Sequence, residues 1–127
     1  MPASTIDDIR SAITDRQASA TALAQDFYTR IRKEDSEIGA FLTLCEERAL
    51  AQAGRIDRMA AKGKPLPPLA GVPVAIKDVM VTQGVRTTAG SKILENFIPP
   101  YECTAVARLE AAGAVILGKL NLSLIHI

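Results

Sequence analysis

The sequence contains no tryptophan, a single histidine (His126) and only two cysteines, Cys45 and Cys103. Each scarcity excludes something. One histidine cannot supply a multi-histidine metal site. Two cysteines are too few for a disulfide scaffold and fit a reducing compartment. Lys and Arg number 15 against 14 Asp and Glu, a net charge of +1. The chain therefore lacks the broad basic field on which non-specific nucleic-acid binding depends, and the balance equally argues against an acidic disordered tail. The start, Met1-Pro2-Ala3-Ser4-Thr5-Ile6-Asp7-Asp8, has no basic region followed by an apolar one, so it does not read as a signal peptide. No apolar run approaches the ~18 residues of a membrane span. The expectation is a soluble, cytoplasmic, globular chain with no membrane partner. Its 127 residues are about one domain, large enough for a real core.

Two halves of different texture emerge. No proline falls between Ala3 and Lys64, and six follow from Pro65 onward. Ten basic and ten acidic side chains precede Pro65, but only five and four follow it. The first half predicts exposed helices. Thr5 caps one, with Asp8 at the capping-box position and Ile6, Ile9 and Ile13 on one face. Ser19 opens the next, with Leu23, Phe27 and Ile31 in a stripe that Ala24 widens. A short strand, Ala40–Leu44, follows Gly39. A third helix starts at Glu46, places Ala49, Ala53, Ile56 and Ala60 on one side, and stops near Gly63. Lys64-Pro65-Leu66-Pro67-Pro68 is extended linker chemistry. Val72–Ile76 and Ala114–Leu117 are apolar enough to be strands buried on both faces, with a helix capped by Thr104 between them. Helix, glycine, apolar strand is αβ alternation.

Lys77 is the sharpest chemical feature. It closes an uncharged run, Val72–Ile76, and precedes Asp78. A lysine desolvated at the end of a buried strand has a lowered pKa and serves as a general base. The same lysine can simply extend its ammonium to water, and the residues alone leave both readings open. Gly113-Ala114-Val115-Ile116-Leu117-Gly118-Lys119 matches most of the phosphate-loop pattern, but Leu120 fails its last place and the intervening residues are strand-like. Cys103 has no neighbouring histidine and reads as a structural thiol. Arg86, Thr87, Thr88, Gly90 and Ser91 form a polar loop beyond the Lys77 strand, a candidate substrate loop or a plain one.

Three blocks together carry a resemblance: Leu69-Ala70-Gly71-Val72-Pro73-Val74-Ala75-Ile76-Lys77-Asp78, Gly84-Val85-Arg86-Thr87-Thr88-Ala89-Gly90-Ser91, and Gly113–Asn121. In combination they resemble the amidase-signature family. Within it, Ser91–Phe97 followed by Pro99-Pro100-Tyr101 is similar to the A-subunit branch of the glutamyl-tRNA(Gln)/aspartyl-tRNA(Asn) amidotransferases. The fold implied is α/β: N-terminal helices (1–64), then the first part of the mixed-sheet amidase-signature core (65–121), incomplete. The family uses a Ser–cis-Ser–Lys triad, and Lys77 matches its catalytic lysine. The resemblance implies a glutaminase subunit in a heterotrimer with B and C subunits, serving a misacylated tRNA. It implies no cofactor and no metal in this subunit, with ATP and Mg used by the partner subunit.

The departures matter as much. The family's glycine/serine-rich segment carries the bridging serine and the nucleophile well downstream of the lysine, and the sequence runs only 50 residues past Lys77 without one. Ser91 and Ser123 do not sit in such a segment. This chain is therefore expected to be inactive alone. Leu122-Ser123-Leu124-Ile125-His126-Ile127 leaves the family pattern and matches one frame of a transposon sequencing adapter, so 122–127 is expected to be a non-native tail. Two further readings stand beside the first: a fragment of a stand-alone amidase of the same family, and a non-catalytic module that binds a partner through its Ala-rich helices.

Overall fold

The computed structural model describes residues 5–122, so Ser123 to Ile127 of the expected tail lie outside the described residues. Helix α1 spans Ile6–Thr14, α2 Ala20–Ile38, strand β1 Phe41–Leu44, α3 Glu46–Ala61, β2 Pro73–Lys77, α4 Thr104–Ala111 and β3 Val115–Leu120. A single 3-10 turn, Lys92–Leu94, interrupts the long connection between β2 and α4. The class is α/β, as the alternation predicts.

Local chemistry explains the element ends. The Thr5 hydroxyl accepts from the Asp8 amide while the Asp8 carboxylate accepts from the Thr5 amide, a complete capping box. Ser19 caps α2 by accepting from the Ala22 amide. Asp57, on α3, adds a second cap to the same end: its carboxylate accepts from the amides of Ala20 (2.7 Å) and Thr21 (3.0 Å) and from the hydroxyls of Ser19 and Thr21. The start of α2 is thus tied to α3 by charge-assisted bonds. Gly39, at φ 68°, ends α2 in the left-handed conformation that costs glycine least. The last helix begins one step earlier than the capping reading places it: Cys103 occupies the cap position without a side-chain bond, and Thr104 is the first helical residue.

The sheet has the order β1-β3-β2, with β1 antiparallel and β2 parallel to the central β3. Val115 and Leu117 join Ile9, Ile13, Leu23, Tyr28, Ala49, Ala53 and Ile56 in the larger core, so α1, α2 and α3 cover one face. Ile116 packs with Ile76, Val106 and Leu109 on the other, beneath α4. The shift in composition near residue 64 does not separate two packing units, because this core crosses it. Ala49 and Ala53 of α3 face inward, in the core rather than on a partner surface, while Ala51 and Ala61 are exposed. Ile6 is left exposed, and Tyr28, absent from the expected stripe, is buried with its hydroxyl donating to the Leu117 carbonyl at 2.6 Å.

Of the two strands expected to be buried on both faces, β3 is. In β2 only Ile76 is buried, because the strand lies at the edge of the sheet. Gly118 explains how β1 approaches β3: a Cβ there would lie 2.5 Å from the Thr43 carbonyl oxygen. Each large apolar side chain in the core contributes roughly 1.5–3 kcal/mol.

Asp57 yields a pH-dependent prediction. Burial raises its carboxyl pKa, but the bonds from Thr21, Ala20 and Ser19 outweigh that and hold it below the ordinary 3.8. A folded value below the unfolded one means that its stabilisation is complete above about pH 4 and is lost as pH falls through the folded value. Asp57→Ala should lower stability by about 1 kcal/mol at pH 7, with the difference from wild type shrinking by pH 2 in urea unfolding.

Candidate active site at the end of β2

Strand β2 delivers Lys77 to the point where the sheet ends and a tight turn begins. Its carbonyl accepts from the Met80 amide at 3.0 Å, and the Asp78 amide then reaches across to the Leu120 carbonyl at 3.0 Å. Successive side chains of a strand leave on opposite sides. Lys77 is exposed while Asp78 is completely buried. The ammonium of Lys77 therefore sits at an accessible strand end, available to groups approaching that end of the sheet.

The desolvated lysine is a different one. Lys119, on β3 and paired in register with Ile76, has no exposed surface. Its ammonium donates to the Met80 carbonyl at 2.7 Å and to the Thr87 hydroxyl at 3.0 Å, and lies 3.4 Å from Asp78 Oδ1. Burial pushes its pKa down from the usual lysine value, while the Asp78 carboxylate pulls the other way. Asp78 Oδ2 accepts from both the amide (3.0 Å) and the hydroxyl of Thr88, and the Ala89 amide donates to the Asp78 carbonyl at 3.1 Å. The segment 78–90 is thereby drawn back against the sheet.

This network accounts for much of the expected loop. Thr87 and Thr88 point inward and are buried, as partners of Lys119 and Asp78. Gly90 is exposed at φ 70°. Ser91 caps the 3-10 turn by accepting from the Ile93 amide. Arg86 is exposed and is one of the residues lining an open cleft of about 500 Å³, together with Thr43, Cys45, Arg48 and Gln83. Across that cleft Arg48 donates to both Glu110 oxygens (3.1 and 2.7 Å), to Glu102 and to the Gln83 carbonyl, tying α3 to α4 and to the loop. Cys45 is buried, which raises its thiol pKa, and Cys103 is half-buried.

The signal that singles out Lys77, a lysine closing an apolar strand run, applies equally to Lys119 after Val115–Gly118. The near-match to a phosphate loop masks it in the sequence; Gly118 and Lys119 lie inside β3, with their backbone in the sheet rather than in an open loop. Among the described residues, no group of three or more His, Cys, Asp or Glu side chains could hold a metal ion. Among the same described residues, no helix is long and apolar enough to cross a membrane.

Known proteins share this architecture. The family model described as Amidase matches residues 22–126. The chain is 66% identical over 117 residues to the A subunit of the glutamyl-tRNA(Gln) amidotransferase of Koribacter versatilis (strain Ellin345), covering 92% of this chain and 24% of that protein. It is 54% identical over 115 residues to the corresponding A subunit from Chlamydia abortus (strain DSM 27085 / S26/3), covering 91% and 23%. The solved structure of the native peptide amidase from Stenotrophomonas maltophilia superposes with a TM-score of 0.89 at 34% identity, over 96% of this chain and 25% of that one. The chain spans about a quarter of the length of the curated relatives it matches.

Breaking the buried pair at one side should be costly. Lys119→Met leaves the Asp78 carboxylate buried without its counter-charge and is expected to destabilise the chain by about 3–5 kcal/mol. Asp78→Asn combined with Lys119→Met should return a large part of that loss, measured by urea unfolding of the three proteins.

Proposed function

This chain belongs to the amidase family, and from that premise we propose that it is the N-terminal segment of the glutaminase subunit of a tRNA-dependent amidotransferase. The observation that carries the reading is its likeness to A subunits across nearly the whole chain, with Lys77 placed at an exposed strand end. In this reading Lys77 is the general base. Its neutral amine takes a proton from a bridging serine, which takes one from the nucleophilic serine. The serine oxygen attacks the side-chain carbonyl of glutamine, backbone amides stabilise the oxyanion, and the proton is passed to the departing ammonia. Water then hydrolyses the acyl-enzyme to glutamate. Both serines come from sequence beyond Asn121, so the present chain alone releases no ammonia.

The ammonia passes to a B subunit, which uses ATP and Mg to activate the glutamate on misacylated Glu-tRNA(Gln), and a small C subunit completes the heterotrimer. A role in protein synthesis places the complex in the cytoplasm. The peptide amidase likeness favours one second reading, a stand-alone amidase that needs no partner subunit.

Glutamine hydrolysis by the full-length protein, with and without its partner subunits, tests both. Lys77→Ala should lower kcat by at least about 100-fold, the scale of a lost general base. Full glutaminase activity in that variant would overturn the role of Lys77. Rapid hydrolysis of simple amides by the isolated full-length chain, with no ammonia transfer to tRNA, would favour the stand-alone enzyme. Ammonia release by residues 1–127 alone would contradict the incomplete triad.

A further inference from the structure

The turn that follows Lys77 is pinned at each end. The Lys77 carbonyl accepts from the Met80 amide at 3.0 Å, the Asp78 amide donates to Leu120 at 3.0 Å, and the Met80 carbonyl accepts from the Lys119 ammonium at 2.7 Å. Lys119 stands opposite Ile76, the residue before Lys77, on the neighbouring strand. Asp78, the residue after it, is anchored through Thr88 and lies 3.4 Å from Lys119. A surface turn needs no buried lysine to close it. Burying an ammonium with no exposed surface is expensive unless its partners are fixed, and its partners all belong to the turn after Lys77 or to the loop that backs it.

We infer that Lys119 and Asp78 are positioning residues for Lys77: the buried pair sets the path of the backbone that carries the base and keeps the net charge beside it near zero. This rests on the reading of Lys77 as the base. Two consequences follow. Without Lys119 the Met80 carbonyl keeps only the Thr82 hydroxyl, at 3.0 Å, as a side-chain donor and is no longer tied to the sheet; the turn gains freedom, so the Lys77 amine is less often aligned for proton transfer. The Asp78 charge is also uncovered. A negative charge nearby favours the ammonium form of Lys77, so activity that requires the neutral amine moves to higher pH. The other titratable groups near Lys119 are the thiols of Cys45, at the start of α3, and Cys103, at the start of α4. Burial pushes the Cys45 thiol pKa up, away from its charged form.

The test uses the full-length enzyme that contains this segment, assayed for glutamine hydrolysis as Lys77→Ala, Lys119→Met and the double variant Asp78→Asn/Lys119→Met. Lys119→Met should lower kcat about tenfold or more with KM within about twofold, and move the acidic limb of the pH–rate profile up by about half a unit. The double variant, which removes both charges and keeps no orphan ion, should return the limb to its wild-type position while kcat stays low. If Lys119→Met does not fold, the double variant decides: wild-type kcat in it overturns the inference. So does a loss of kcat in a folded Lys119→Met that leaves the limb where it was, which marks a purely structural pair. If Lys77→Ala remains active, the reading of Lys77 itself fails, and the inference falls with it.

Discussion

A lysine ammonium with no exposed surface is the constraint around which this end of the molecule is organised. Lys119 cannot keep its charge inside the protein unless acceptors surround it, and it finds them in the Met80 carbonyl, the Thr87 hydroxyl and the Asp78 carboxylate. Those acceptors lie along a segment with almost no regular secondary structure. Electrostatics thus does for residues 78–90 what hydrogen-bonded ladders do for a strand: it fixes an irregular chain in one path. Apolar packing could cover the sheet equally well, but it is not directional and would not specify where the turn after Lys77 goes.

The rest of the fold presents β3 so that this pair can form. Helices α1, α2 and α3 cover one face of the strand and α4 the other, and Gly118 admits β1 at close range immediately before Lys119. Polar ties then fix the helices to each other. Asp57 joins α3 to the start of α2, Tyr28 joins α2 to Leu117, and Arg48 joins α3 to α4 and the Gln83 loop. Each tie satisfies buried or half-buried polar groups that would otherwise cost roughly 1–3 kcal/mol apiece. The consequence is a platform that carries the exposed Lys77 at the end of its edge strand.

Much of this was legible in the sequence, and the failures share a cause. The capping box at Thr5, the Ser19 cap, the inward stripe of Ala49, Ala53 and Ile56 and the central strand near Val115–Leu117 all follow from local patterns, where the partner lies within a few residues. The family resemblance pointed to Lys77 and to the α/β class. What could not be read were interactions spanning long separations: Asp57 capping a helix 37 residues earlier, and Lys119 meeting Thr87 across 32. The polar residues Thr87 and Thr88 suggested an open loop because polarity usually marks solvent, yet here a buried charge recruits them inward. The partial exposure of β2 was equally hidden, since an apolar run does not announce whether it will lie at the centre or the edge of a sheet.

Amide hydrogen exchange of residues 78–90 in this chain tests the central claim most directly, because it reports whether an irregular loop is closed as part of the core. If the buried pair fixes the loop, the amides of Asp78, Met80, Thr88 and Ala89 will exchange nearly as slowly as those of Ile116 and Leu117 in β3. Exchange of those four amides at the rate of an exposed loop, with β3 still protected, would contradict the account.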